Sequence, residues 1–109
     1  MAQAVFAHEG AAIDFTPGTD VSAGDVIVQG DLVGVARLDI KAGVLGTLAV
    51  TGVFDFAKAT NVAYTVGQIL YWDDTNNIVT TTATGNKLVG KAVRAAATTD
   101  PTVRVRMSQ

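Results

Sequence analysis

The sequence contains no cysteine, only two prolines, and few aromatic or charged residues. Without cysteine, disulfide cross-links, thiolate metal ligands and cysteine nucleophiles are excluded. Charged residues make up 17% of the 109 residues, against about a quarter in typical globular domains, and the formal net charge is −2. Because nucleic acids are bound through a surplus of basic residues, this balance disfavours non-specific binding to DNA or RNA.

Long apolar runs are also missing. No stretch approaches the roughly 18 uninterrupted apolar residues of a membrane-spanning helix. The first residues, from Met1 to Val5, lack the basic and apolar regions of a secretion signal. We therefore expect a soluble protein that is made in the cytoplasm and has no membrane partner.

The chain does contain many short segments of Val, Ile, Thr and aromatic residues, separated by Gly, Asp and Asn. Helical periodicity is nearly absent. The pattern predicts an all-β fold, a small single-domain β-barrel or β-sandwich of about eight short strands with at most one or two short helices. The expected strands are Ala12–Phe15, Asp25–Gln29, Leu32–Leu38, Gly46–Phe54, Ile69–Trp72, Ile78–Thr82, Lys87–Ala95 and Thr102–Met107.

The length allows one domain. We expect this β domain to comprise residues 11–109, preceded by an N-terminal arm of residues 1–10. Turn residues predict two hairpins, one at Gln29-Gly30-Asp31 and one between Asp73 and Asn77. The alanine-rich segment Lys91–Ala97 is the one helical candidate, although it is too short to be stable without packing.

One segment approaches the pattern of a phosphate-binding loop. Residues 85–92 read Gly-Asn-Lys-Leu-Val-Gly-Lys-Ala and match G-x-x-x-x-G-K, but Ala92 stands where the pattern needs a hydroxyl group for Mg²⁺. The other interpretation makes Gly90 a bulge or a close-contact position within a strand. We expect no nucleotide cofactor here, and a nucleotide- or nucleic-acid-binding recombination factor is the disfavoured alternative function.

Other polar clusters also have structural explanations. The segment from Asp73 to Asn77 alternates oxygen side chains as a Ca²⁺ loop does, but it lacks the glycine and the bidentate acid that such a loop requires. His8, the only histidine, lies in the arm and is poorly placed for a catalytic triad or a zinc site. The sequence therefore predicts no enzymatic activity, no metal, no other cofactor and no small-molecule substrate.

Five residues are candidates for contacts with other proteins. They are Val5, Phe6, Trp72, Arg104 and Arg106. The first two are apolar residues of the arm, and the two arginines share one face of the last strand. Tyr71 and Trp72 are adjacent and point to opposite faces, so that one is expected in the core and the other on the surface or at an interface.

Several segments carry a resemblance to a known family. They are Phe6-Ala7-His8-Glu9-Gly10, Ile13-Asp14-Phe15-Thr16-Pro17, Ala23-Gly24-Asp25-Val26, Gly52-Val53-Phe54-Asp55-Phe56-Ala57-Lys58, Tyr71-Trp72-Asp73 and Gly90-Lys91-Ala92. Essentially from end to end, the chain resembles the small capsid cement (decoration) proteins of tailed bacteriophages, which often carry a RecA/RadA-like recombinase label. The likeness rests on the ordered series of matches rather than on one motif.

The resemblance implies a structural protein that binds the outer surface of a phage head and stabilises the shell as a trimer. Its partners are then the major capsid protein and its own copies, without nucleic acid. It is located on the capsid exterior of the virion after synthesis in the bacterial host cytoplasm. The arm from Ala2 to Glu9 is expected to reach a neighbouring subunit or the capsid floor. The alternative is an arm that folds back as an edge strand of its own domain.

Overall fold

The computed structural model describes residues 2–109, which form nine β-strands and no helix. The all-β prediction is confirmed. The strands are β1 (Ala12–Phe15), β2 (Val26–Gln29), β3 (Leu32–Val35), β4 (Gly46–Ala49), β5 (Gly52–Ala57), β6 (Ile69–Asp73), β7 (Ile78–Thr80), β8 (Lys87–Ala92) and β9 (Thr102–Met107). The described residues contain no helix that is long and apolar enough to cross a membrane.

The strands form two antiparallel sheets that pack face to face as a sandwich and do not close into a barrel. The first sheet has the order β1-β4-β3-β2, and the second has the order β5-β9-β8-β6-β7. Both predicted hairpins are confirmed. Gln29 pairs with Leu32 across a two-residue turn in which Gly30 has a φ of 60°. β6 and β7 are joined through a turn in which Asn77 has a φ of 56°.

The predicted strand Gly46–Phe54 is wrong, because it is two strands in different sheets. β4 ends at Ala49 in the first sheet, and β5 begins at Gly52 in the second. Gly52 has a φ of 116°, a backbone conformation that residues with a side chain rarely adopt. The chain changes direction at this glycine, which is why the structure has one strand more than predicted.

The helical candidate Lys91–Ala97 is also wrong. β8 continues to Ala92, whose backbone N–H donates to the carbonyl of Gln68 and whose carbonyl accepts from the N–H of Gly67. Beyond Ala92, Ala96 forms an isolated antiparallel bridge with Tyr64. The backbone groups of this segment are therefore paired across the sheet, which prevents the local hydrogen bonds of a helix.

The main core lies between the two sheets. β3 contributes Val33 and Val35 to it. The buried residues that complete it are Phe56, Tyr64, Leu70, Trp72, Val79, Val89, Ala92, Ala96, Val103, Val105 and Met107. Valine is the most frequent residue of this core, and the rings of Phe56 and Trp72 pack edge to face at a centroid distance of 6.0 Å.

A second, smaller core covers the opposite face of the first sheet. Its buried members are Val21, Ala36, Ile40 and Leu48. Gly34 of β3 faces this core, and a Cβ atom added there would lie 2.8 Å from the Cβ of Leu48. The first sheet is therefore packed on both faces, whereas the outer face of the second sheet has no protein layer over it in the described residues.

A β-bulge in β8 determines which of its side chains face outward. Leu70 of β6 pairs with Gly90, but the next residue, Tyr71, pairs with Leu88, so that Val89 is the extra residue. The predicted close-contact role of Gly90 is confirmed, because a Cβ atom added there would overlap the carbonyl oxygen of Arg106.

The bulge shifts the alternation of the strand. Val89 and Ala92 are buried, while Leu88 and Lys91 are exposed. In a regular strand, residues three apart lie on opposite faces. The extra residue therefore brings Leu88 and Lys91 to the same outer face of the second sheet.

Gln109, which follows β9, links the two sheets through its side-chain amide. The N–H of Val33 donates to Oε1 of Gln109 at 2.7 Å, and Nε2 of Gln109 donates to the carbonyl of Val33 at 2.7 Å. β3 pairs with β4 only between Val35 and Ala49, so that the backbone of Val33 needs another partner on that side. The side chain of Gln109 supplies it.

We expect Gly90→Ala to lower the free energy of unfolding by about 3 kcal/mol or more, because the clash is with backbone of β9 and cannot be relieved by rotating a side chain. Denaturant unfolding followed by circular dichroism measures the change. Gly18→Ala is the matched control, because nothing lies within 4 Å of an added Cβ atom there. Equal stability of the two variants would contradict the close contact at Gly90.

We expect Gln109→Ala to cost about 1–2 kcal/mol, because two half-buried backbone groups of Val33 lose their hydrogen-bond partner. The same unfolding measurement applies. Gln3→Ala in the exposed arm serves as the control and is expected to leave stability unchanged within about 0.5 kcal/mol. A Gln109→Ala protein as stable as the control would show that water replaces the amide without loss.

Candidate interaction surfaces

The arm, residues 2–10 in the structure, is exposed along its whole length and forms no strand. Its side chains Val5 and Phe6 are 82% and 78% exposed. The domain begins next to the arm at Ala11, whose carbonyl accepts a hydrogen bond from the N–H of Val50. The alternative in which the arm is an edge strand of its own domain is thus not adopted, and two apolar side chains stay without cover in their own subunit.

A groove of about 580 Å³ lies on the outer face of the second sheet and is called the outer groove here. Its apolar wall consists of four exposed side chains, Val66, Ile69, Leu88 and Val93. Its basic edge consists of Lys91 and Arg106. Contiguous exposed apolar residues with a polar rim are typical of interaction sites.

The basic edge of the outer groove brings two like charges together. Lys91 of β8 and Arg106 of β9 are direct cross-strand partners, an arrangement that is unfavourable in isolation. The ion pairs found in residues 2–109 are Lys41–Asp20, Lys87–Asp31 and Arg104–Asp55. In this part of the chain neither Lys91 nor Arg106 meets a carboxylate, so that the edge offers uncompensated positive charge.

Arg104 lies on the same outer face as Arg106, as predicted from the alternation of β9. Its Nε donates to Oδ1 of Asp55 at 2.9 Å and its Nη2 donates to Oδ2 at 3.2 Å. The hydrogen bonds from Arg104 lower the pKa of the Asp55 carboxyl below its usual value. The charge of Arg104 is therefore neutralised within the subunit by Asp55, whereas Arg106 has no carboxylate partner in residues 2–109.

Trp72 lies in the core and not on the surface, which removes it from the interface candidates. It is 4% exposed, packs against Phe56, and donates its indole N–H to Oδ1 of Asp74 at 2.9 Å. Tyr71 takes the outward position and is half-buried. The alternation of the strand separated the two residues correctly, but which of them is buried depends on which face of β6 is turned toward the main core.

A third exposed surface, the loop surface, consists of Leu38, Val44 and Leu45 in the connection between β3 and β4. These side chains are 76%, 53% and 66% exposed. None of the three is among the candidates from the sequence. Leu38 was expected at the end of a strand, whereas β3 ends at Val35, and Val44 and Leu45 lie between two predicted strands. The available signal was the presence of large apolar residues among turn-forming residues.

The loops that carry the loop surface are held by hydrogen bonds to a neighbouring loop. The N–H of Ala23 donates to Oδ1 of Asp39 at 2.8 Å, and the N–H of Ala42 donates to Oδ1 of Asp20 at 2.9 Å. Gly43 donates its N–H to the carbonyl of Pro17 at 2.9 Å. The exposed apolar side chains are therefore presented on a fixed backbone.

The segment that approaches a phosphate-binding loop has a different structure. Gly85 lies in a turn with a φ of 77°, and Lys87–Ala92 is strand β8. A phosphate-binding loop places its lysine at the start of a helix, where backbone N–H groups converge on the phosphates. Lys91 instead projects from the outer face of a sheet.

The segment that resembles a Ca²⁺ loop uses its acid within the turn. Oδ1 of Asp73 accepts from the N–H groups of Thr75 and Asn76, and Oδ2 accepts from Nδ2 of Asn76 at 2.9 Å. These bonds, chiefly the one from the Asn76 side chain, lower the pKa of Asp73. No group of three or more metal-ligating side chains occurs in residues 2–109.

Comparison with known proteins gives one finding. A family model described as "Phage cement protein" matches residues 7–107, which include all nine strands of the described chain. No curated protein and no solved structure matches the chain.

We expect no heat of binding when Mg-ATP is titrated into the protein in a calorimeter, because Lys87–Ala92 is a strand where a phosphate site needs a loop and a helix. Lys91→Ala is the informative variant. Saturable micromolar binding that Lys91→Ala abolishes would reverse this expectation and revive the recombination-factor alternative.

Proposed function

The chain belongs to the phage cement protein family, which confirms the resemblance in its sequence, and on this basis we propose that it binds the outer surface of a phage head as a trimer and stabilises the shell. A structural role in the phage capsid follows from the family itself. The observation that carries the proposal is the match over residues 7–107, which leaves neither sheet outside the family pattern.

The proposal assigns no catalysis to the chain. The polar groups that suggested chemistry in the sequence have structural roles, since Asp73 closes a turn and Lys91 stands on an open sheet face. The recombination-factor alternative depends on a phosphate-binding loop at residues 85–92, and the strand Lys87–Ala92 does not provide the loop and helix of such a site.

We assign contact with the major capsid protein to the loop surface. Leu38, Val44 and Leu45 are exposed on loops whose backbone is already fixed, so that binding orders little additional chain. Burial of one large apolar side chain contributes about 1.5–3 kcal/mol. In a trimer the same contact is repeated in each copy, and linked weak contacts give firm attachment.

Stabilisation of the shell then follows from mass action. A protein that binds the assembled head but not its separated subunits shifts the equilibrium toward the assembled state. At a free concentration 100 times the Kd, this shift is about 2.7 kcal/mol for each site. The small, valine-rich core suits a protein whose own stability also increases when it is bound.

The direct experiment mixes purified protein with undecorated heads and records the density gained on the outer surface, together with the temperature at which the heads break open. We expect added density with threefold symmetry and a higher disruption temperature. No added density would contradict the proposal.

The double variant Leu38→Ser and Leu45→Ser tests the loop surface in the same assay. We expect its affinity for heads to fall by about a hundredfold or more, since two apolar side chains lose their contacts. Val62→Ser changes an exposed valine outside the loop surface; it is the control and should bind as the parent does. Equal binding by both variants would place the head contact elsewhere.

A further inference from the structure

We propose that the outer groove of one copy binds the arm of a second copy, with Val5 and Phe6 against the apolar wall and the Glu9 carboxylate beside Lys91 and Arg106. The inference deepens the proposed function, on which it rests for the number of copies. It assigns the contact between copies to the second sheet, so that the loop surface remains available to bind the phage head.

The apolar parts of the two surfaces match. The arm presents Val5 and Phe6 almost fully to solvent. The wall of the outer groove exposes side chains of the same character on β6 and β8, where Ile69 is 46% and Leu88 39% exposed. Because each surface leaves apolar area in water, their contact removes both from solvent in one step.

The charges also match. Lys91 and Arg106 form a like-charge pair across β8 and β9 without a carboxylate partner in residues 2–109. Glu9 is the only acid of the arm, and it is exposed and outside the ion pairs found in that same range. A carboxylate placed between the two cations would turn an unfavourable pair into two attractive contacts.

The spacing of the arm residues fits the spacing of the strands. Ile69, Lys91 and Arg106 form one row across β6, β8 and β9, because each is the direct partner of the next. Two strand spacings separate Ile69 from Arg106, which is about 9.6 Å. Three residues of extended chain separate Phe6 from Glu9, which is about 10 Å. An arm that crosses the row with Phe6 over Ile69 therefore brings the backbone of Glu9 to Arg106. Adjacent residues and residues three apart face opposite sides of a regular extended chain, so the arm, which forms no strand, must bend between Val5 and Glu9 for all three side chains to face the groove.

A second copy is the occupant that the geometry favours. In its own subunit the arm lies before Ala11, and both of its apolar side chains are uncovered. Extended, the arm reaches about 30 Å, far enough to enter a neighbour. A contact between an arm and a groove joins unlike surfaces, and such head-to-tail contacts can close into rings. A ring of three is the arrangement of the proposed trimer.

The test uses two full-length variants. The arm variant carries Val5→Ser and Phe6→Ser, and the groove variant carries Ile69→Ser and Arg106→Ser. All four positions are exposed, and circular dichroism checks that both proteins fold. Sedimentation velocity then measures association over a range of concentrations. We expect the parent protein to form trimers, and each variant alone to associate at least about a hundredfold more weakly.

Mixing the variants distinguishes a contact between copies from one within a subunit. The groove variant retains an intact arm and the arm variant retains an intact groove, so that the mixture should form a heterodimer through one contact. Arg104→Ser is the matched control, because Arg104 lies on the same strand and face but is paired with Asp55, and it should associate as the parent does. Charge reversal gives a second readout, in which Glu9→Lys weakens association and Glu9→Lys combined with Arg106→Glu restores it.

Three results would overturn the inference. They are a parent protein that stays monomeric at every concentration, variants that associate as the parent does, and a mixture that remains monomeric. Head binding is measured separately with undecorated heads. If the parent decorates heads but its copies do not associate through the arm, the contact between copies fails while the proposed function stands. If copies associate through the arm but no head is decorated, the proposed function fails while the contact between copies stands.

Discussion

At Gly90 the backbone of β8 lies so close to the carbonyl of Arg106 that no side chain can be placed between them. The bulge at this point turns Val89 and Ala92 into the core and Leu88 and Lys91 to the outside. A regular strand would direct either Lys91 or Leu88 inward. The bulge beside Gly90 thus determines both how β8 fills the core and which of its side chains line the outer groove.

The two sheets differ in how they are covered. The first sheet is packed on both faces, and its loops are tied together by side chains such as Asp20 and Asp39. The second sheet is covered on one face only and exposes apolar and basic residues on the other. In the proposed arrangement this division separates a surface for the shell from a surface for neighbouring copies, so that both can be occupied together.

Much of the fold was predictable because it depends on local patterns. The turn at Gly30 and the alternation of β9 both follow from residues adjacent in sequence. Three features depend on tertiary structure and were not predicted. These are the change of sheet at Gly52, the burial of Trp72 instead of Tyr71, and the pairing of Arg104 with Asp55, which lies 49 residues earlier. Residues adjacent in sequence do not determine which sheet a strand joins, which of its faces is buried, or which carboxylate pairs with a given arginine.

A reconstruction of decorated phage heads, at a resolution that traces the chain, tests most directly whether the arm and the outer groove join neighbouring copies on the shell. We expect density for residues 2–10 to run from Ala11 of one subunit across β6, β8 and β9 of the next, with the loop surface against the capsid. An arm that lies on the capsid floor or along its own domain, with the outer groove open to solvent, would contradict this arrangement.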